Sequence, residues 1–197
     1  MVSADSVRSI KLRSRPQRRN SKLQNQIESL VPKAARRVEN EDRFWVIEGV
    51  EDEIVKLADV SIKHTVLFRD CRNVQVHLKQ KCNSVQMYKL KHCQLLGESV
   101  ISSVDLNDCE SCQVQIQKRI PTLTLEKSEN SEIYLPWASR DVQVFSSGVR
   151  AVQLLVPSAD PLTEPDWEWE RHALPEQFQH AYNGSKFVTQ PAAGLAE

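Results

Sequence analysis

Five aliphatic residues, Val66, Val85, Val104, Leu123 and Val142, stand nineteen positions apart. Each is followed two places later by another apolar residue: Phe68, Met87, Leu106, Leu125 and Val144. Ten places after each anchor come Val76, Leu95, Val114, Ile133 and Val152, and twelve places after come Leu78, Gly97, Ile116, Leu135 and Leu154. Only Gly97 interrupts these columns. A self-repeat of this length constrains a fold more than any local propensity does, because each unit must bury its apolar face against its neighbours. Within a unit the apolar period is two, which describes short strands with one buried face, and the corners between them (Arg72-Asn73, Glu110-Ser111, Glu129-Asn130) are polar.

A β-sandwich also alternates, but it does not require a constant period free of insertions. Equivalent residues that stack every nineteen positions describe a parallel coil with about 4.8 Å between turns, and such crossovers are right-handed. The expected fold is therefore all-β, a right-handed parallel β-helix of about six coils: five matched ones and a weaker first coil around Trp45 to Leu57. Arg43 to Glu48, "RFWVIE", is expected to cap its N-terminal end. Beyond the last coil an acidic, Pro-rich stretch reads as irregular, and "GSKFVTQ", Gly184 to Gln190, reads as one more short strand, alone or in a hairpin, placed to pair with a partner chain. The chain thus divides into a basic extension read as flexible (1–42), the β-helix (43–158) and a C-terminal segment carrying the dimerisation strand (159–197).

Formal charge cancels over 197 residues, yet residues 1–40 hold ten Lys/Arg against three acids, so the remainder is net acidic by seven. No stretch approaches the length of a bilayer-spanning segment and no secretory signal is evident, which leads to the expectation of a cytoplasmic protein. The five histidines are scattered, Gly-rich phosphate loops are missing, and the carboxylates of "DWEWE", 166–170, read as a solvated face. No catalytic residue, metal or cofactor is expected. Cys109 and Cys112 form a C-x-x-C, but register gives another account of them. Cys109 falls in the column of Cys71, Leu90, Ser128 and Ser147, Cys112 in that of Val74, Cys93 and Ser131, and Cys82 in that of Ile101 and Ile120. All five read as small buried hydrophobes, with Cys93 and Cys112 one coil apart and within reach of a disulfide.

The segments "VQVHLKQKCNS" (74–84), "VQIQKRIPTLTLEKSEN" (114–130) and "LPEQFQHAYNGSKFVTQ" (174–190) resemble the C-terminal domain of the cyclase-associated proteins, over roughly residues 43–197. The resemblance implies a β-helix that dimerises through its C-terminal strand, binds monomeric ADP-actin and promotes exchange of ADP for ATP, with a link to adenylyl cyclase by family analogy alone. It implies actin contact through Lys79, Lys81, Lys118, Arg119, Thr122 and Lys127, whose outward lysines are expected to stack into a basic ridge, and dimerisation through Lys186, Phe187, Val188 and Thr189. For single lysines the alternative is a solvated face, and for the last strand a frayed terminus. The tail "PAAGLAE" departs from the usual family ending. The related tubulin cofactor C domains activate GTP hydrolysis through an arginine in a Q-x-R-x-H strand. Here Gln115 stands at the arginine position and Gln117 at the histidine, and a neutral amide cannot supply the charge of an arginine finger. In the basic extension, Leu23, Ile27, Leu30 and Val31 followed by Arg36-Arg37-Val38 loosely resemble a verprolin-homology actin motif. A solvated linker, or an arm meeting nucleic acid or anionic membrane, are the other readings.

Overall fold

A computed structural model of the chain describes residues 37–192. A first strand, β1 (Arg37–Glu41), is followed by six coils of two strands each. These are β2 (Phe44–Glu48) with β3 (Ile54–Leu57), β4 (Thr65–Arg69) with β5 (Gln75–Leu78), β6 (Ser84–Tyr88) with β7 (Gln94–Gly97), β8 (Ser103–Asn107) with β9 (Gln113–Ile116), β10 (Thr122–Glu126) with β11 (Glu132–Tyr134), and β12 (Gln143–Ser147) with β13 (Gln153–Pro157). Three further strands close the chain: β14 (Trp169–Ala173), β15 (Phe178–Tyr182) and β16 (Phe187–Pro191). The coil strands stack in parallel into two sheets, β2-β4-β6-β8-β10-β12 and β3-β5-β7-β9-β11-β13. The all-β parallel solenoid expected from the repeat is the observed fold, and its only helix among the described residues is the 3-10 turn Trp137–Ser139.

The inward columns are those of the repeat. Val66, Val85, Val104 and Leu123 are in register and fully buried, as are Val76, Leu95, Val114 and Ile133 in the facing sheet. Gly97 sits between Leu78 and Ile116, and a Cβ there would lie 2.6 Å from the Ile116 Cδ1 atom. The missing side chain is therefore replaced by that of the next coil, which is how a close-packed interior tolerates the gap.

The period is not constant throughout. In the middle coils partners are nineteen residues apart, but Trp45 pairs with Val66 and Leu123 with Val144, a spacing of twenty-one. The expected final members of the columns shift accordingly: Val144 stacks on Leu123, Ser146 on Leu125 and Leu154 on Ile133, while Val142 lies in a corner. Val149, adjacent to the Glu129–Arg150 bridge, takes the place assigned to Ser147 beside Ser128 and is buried. Cys82 bridges to Val100, leaving Ile101 42% exposed. Both two-residue excesses are absorbed at the second corner of the coil. One is taken up at residues 58–64, where the His64 amide bonds the Ser61 carbonyl, and the other at residues 135–142, which contain the 3-10 turn.

The first corner never changes length. In every coil five residues link the two strands, and two of them, three positions apart, are left-handed: Gly49 and Asp52, Asp70 and Asn73, Lys89 and His92, Asp108 and Ser111, Lys127 and Asn130, Gly148 and Ala151. Gly, Asp and Asn adopt this conformation readily; each remaining residue costs about 1–2 kcal/mol there. That strain is offset by a continuous ladder of backbone bonds. The amides of Asp70, Lys89, Asp108 and Lys127 donate to the following coil, and those of Arg72, Lys91, Glu110 and Glu129 donate to the preceding one.

Cys71, Cys93, Cys109 and Cys112 belong to these corners, and Cys82 lies in the second corner of its coil. All five are buried and free. Cys71, Cys93, Cys109 and Cys112 each point the thiol at the carbonyl two residues back, and Ser128 and Ser131 make the same bond with their hydroxyls. Thiol and hydroxyl are interchangeable here because both are small and satisfy the same corner carbonyl. Burial pushes Cys71 up to about 12 and Cys82 up to about 11, and Cys112 is raised by its hydrogen bond with Cys109 and by burial. The thiolate is the reactive species. The hydrogen bond with Cys112 lowers Cys109 instead, so its protection rests on burial alone. Because all five are buried, a bulky aromatic disulfide at pH 8 is expected to leave every thiol of the folded protein unmodified, and to titrate all of them in denaturant. Fast labelling of Cys109 or Cys112 in the folded chain would contradict this account.

The ends are closed unequally. Arg37–Glu41, assigned to the extension by sequence, is β1 and pairs antiparallel with β2. β14, within the stretch expected to be irregular, pairs antiparallel with β13. β12 is the terminal strand of its sheet and exposes Phe145. β15 and β16 pair only with each other.

Candidate functional site

The two kinds of corner lie on opposite edges of the coil, and this separates the residues grouped by sequence. Lys79 and Lys81 occupy the second corner of one coil, Lys118 and Arg119 that of another, and Thr122 opens the strand that follows. Lys127 is a left-handed residue of the first corner and so stands on the other edge. The first five share an edge; Lys127 does not join them.

Nor is that edge uniformly basic. Glu98 lies in the coil between Lys79 and Lys118, and Lys118 Nζ bonds its Oε1 at 2.5 Å. Arg119 donates to Asp141 at 2.8 Å and to the Ala138 carbonyl at 2.6 Å. The Arg119 hydrogen bond holds the Asp141 carboxyl below its ordinary range. Exposed pairs of this kind contribute little stability, but they cancel charge locally. Lys79 and Lys81 are exposed and carry no ion pair among the described residues; the same holds for Arg43 and Lys63 on the preceding coils. Arg43, His64 and Asn83 are stacked by backbone bonds, Thr65 N to Arg43 O and Asn83 N to His64 O, both 2.8 Å. Cations without an ion pair among the described residues therefore gather on Arg43, Lys63, Lys79 and Lys81, toward the N-terminal end of the edge, where the exposed carboxylates of Asp42 and Asp59 also lie. Sequence reasoning missed Arg43 and Lys63 because the first coil breaks the nineteen-residue register on which the search relied.

The outward face of the second sheet is neutral. One column runs through His77, Leu96, Gln115 and Tyr134, and beside it runs a ladder of Gln75, Gln94, Gln113 and Glu132. Gln94 donates to Gln113 at 3.1 Å and Gln113 to Glu132 at 3.2 Å. Trp169 of β14 meets Tyr134 edge-on at 5.2 Å, and the two line one end of a shallow groove, with Trp167 against Trp169 at 5.1 Å. Gln115 lines that groove with no cation in its column beyond Lys56, and Arg171 at the margin is held by Glu132 at 2.6 Å. Among the described residues no group of three His, Cys, Asp or Glu is arranged to hold a metal ion, and no helix is long and apolar enough to cross a membrane.

Lys186, Phe187, Val188 and Thr189 lie on a hairpin formed by β15 and β16. Tyr182 pairs with Phe187, their rings 5.4 Å apart, and His180 Nδ1 meets Thr189 Oγ1 at 2.9 Å. Every residue of both strands is exposed, Phe187 by 71%. The partner strand β15, "FQHAY", went unread because its alternation is weak and a proline precedes it closely. The expected amphipathic stripe at Leu23 to Val31 and the tail from Ala193 lie outside the described residues.

These features define a β-solenoid domain with an exposed C-terminal hairpin. The family model for the "Adenylate cyclase associated (CAP) C terminal" matches residues 34–193, and the chain belongs to this family. Adenylyl cyclase-associated protein 2 of Homo sapiens is 27% identical over 160 residues, covering 81% of this chain and 32% of that protein. The adenylyl cyclase-associated protein of Dictyostelium discoideum is 29% identical over 152 residues, covering 77% of this chain and 32% of that protein. The chain spans about a third of the length of the curated relatives it matches. The crystal structure of the cyclase-associated protein from Cryptosporidium parvum superimposes with a TM-score of 0.73 at 28% identity, covering 80% of this chain and 96% of that one.

The backbone pairing of β14 with β13 is supplemented by a titratable pair, Arg171 and Glu132. Hydrogen bonds from Arg171 and Tyr134 hold the Glu132 carboxyl below its ordinary range. A depressed carboxylate stabilises the fold above its unfolded pKa, and that contribution is lost as pH falls through the folded value. Acid is therefore expected to loosen β14 and change the fluorescence of Trp167 and Trp169 in an early step below the usual carboxylate range. Glu132→Gln should show the loosened signal at neutral pH and lose the step; an unchanged pH profile in that variant would reject the pair as the anchor.

Proposed function

We propose that this protein is a non-enzymatic binder of monomeric actin that prefers the ADP-bound form, promotes exchange of ADP for ATP, and works in the cytoplasm at the actin cytoskeleton. The observation that carries this reading is the combination, in a chain of this family, of a corner rich in cations without ion pairs among the described residues and an exposed apolar hairpin. Actin is an acidic partner, and complementary charge speeds encounter and fixes register. A flat ladder surface on a rigid solenoid suits such a broad protein contact. The division into a basic arm, a β-helix of 43–158 and a dimerising segment of 159–197 belongs to the same reading, as does any link to adenylyl cyclase. GTPase activation is disfavoured, since Gln115 offers no charge to a transferring phosphoryl group.

The direct test follows release of a fluorescent ADP analogue from actin monomers with and without the protein, with tubulin GTP hydrolysis measured in parallel. Faster release with no change in hydrolysis is expected; no effect on release together with no co-elution with ADP-actin would reject the reading. The double variant Lys79→Glu, Lys81→Glu should weaken binding on the order of tenfold at low salt, with the difference shrinking as salt rises. Lys118→Glu should matter less, because Glu98 already neutralises that lysine. An equal loss in both would move the contact to the C-terminal half of the edge.

The exposed hairpin also supports a homodimer, its Phe187 and Val188 being buried by a second copy. Removing residues 185–197 is expected to halve the mass measured by light scattering. An unchanged dimer mass would exclude the hairpin as the interface.

A further inference from the structure

The turn of the terminal hairpin is Asn183-Gly184, the single Asn-Gly step in the chain. Its side-chain carbonyl oxygen is held by three donors at once: the Ser185 amide at 3.1 Å, the Ser185 hydroxyl at 3.0 Å and the Lys186 amide at 3.0 Å. The Asn183 amide in turn donates to the Lys186 carbonyl at 3.1 Å. Two groups are left unbonded: the Asn183 Nδ2 and the Gly184 amide neither give nor receive a hydrogen bond within the described chain. Both residues are exposed, Gly184 has φ +95°, and nothing stands within 4 Å of where its Cβ would be.

This arrangement has the parts of an acyl-transfer site. Three donors converge on the oxygen where negative charge develops if the neighbouring amide nitrogen attacks the side-chain carbon, the role of an oxyanion hole. The attacking nitrogen is the next atom group along the chain, with no side chain to hinder it, and its proximity replaces a bimolecular encounter. The leaving amide nitrogen faces water and is tied to nothing.

The geometry points to Asn183-Gly184 as a self-modification site, at which the hairpin deamidates its own turn. Hydroxide removes the Gly184 amide proton, the nitrogen bonds to Asn183 Cγ, and the tetrahedral oxyanion rests on the Ser185 and Lys186 donors. The Cγ–Nδ2 bond then breaks as Nδ2 takes a proton and departs as ammonia, leaving a succinimide. Water opens the ring at either carbonyl, giving aspartate or isoaspartate at position 183. No oxidant, reductant or enzyme is required. Either product adds a carboxylate to the hairpin, and isoaspartate adds a methylene to the backbone inside the turn that the Asn183–Lys186 bond closes. The modification stands on the hairpin alone and not on the actin reading, so the two fail separately.

The full-length chain incubated at neutral and at mildly alkaline pH, then digested and mapped by mass, tests this. Asn183 should gain the mass of an exchange of NH for O, faster at the higher pH, while Asn73, Asn83, Asn107 and Asn130 of the same molecules stay unchanged. Isoaspartate at that peptide should also accept label from an isoaspartyl methyltransferase. The rate in the folded chain should exceed the rate in the same chain held in urea several-fold, and Ser185→Ala, which removes one donor without touching the fold of the solenoid, should bring the two closer. Conversion that is absent, or no faster folded than in urea, would overturn the proposal.

Discussion

Each coil of this solenoid turns its first corner in five residues with two left-handed positions set three apart, and this geometry governs the rest of the structure. The corner reverses the chain while keeping its amides in register with the coils before and after, so the hydrogen-bond ladder continues around the bend instead of ending at a loop. Because this corner never changes length, every length variation falls on the second corner. There the first and fifth coils gain two residues without disturbing the columns that face the core. The small donors beneath the corner, four cysteines and two serines, complete the device by capping carbonyls that face inward.

The asymmetry of the corners also organises the surface. The constant-length edge carries a ladder of Glu51, Arg72, Lys91, Glu110, Glu129 and Arg150, in which Lys91 pairs with Glu110 and Arg150 with Glu129 between coils. Such a ladder holds a solenoid surface in register and presents little net field. The variable edge carries lysines that do not all find partners, and the field there is shaped by where Glu98 and Asp141 fall. Charge on a repeat surface is thus decided by the residue one coil away, not by its neighbours in sequence.

The repeat made the fold legible because stacking imposes a strict column identity on inward residues, and any chain that keeps such columns with period two has few other ways to bury them. The columns alone place Val66, Val85, Val104 and Leu123 in the core. Val142 could not, because a period argument assumes the spacing it measures and an insertion in a corner leaves no mark on the alternation. β1 and β14 were invisible for a related reason. As antiparallel caps they lie outside the repeat, and their strand character comes from the open edges of β2 and β13, not from their own composition.

At the site the division is similar. The sequence by itself determined that the chain is a parallel β-coil, that its cysteines are corner and core residues, that Gln115 brings no charge to an arginine-finger position, and that the last segment carries the apolar pair Phe187-Val188. Those conclusions depend only on column membership and side-chain chemistry. Only the tertiary structure decided that Lys127 faces the opposite edge from Lys79, that Lys118 and Arg119 are already neutralised, that Arg43 and Lys63 join the cations without ion pairs among the described residues, and that Asn183 sits in a ring of donors. Those facts depend on distances between residues about twenty apart in sequence and one strand apart in space, and no one-dimensional pattern encodes which of two opposite corners a residue will occupy once the coil has closed.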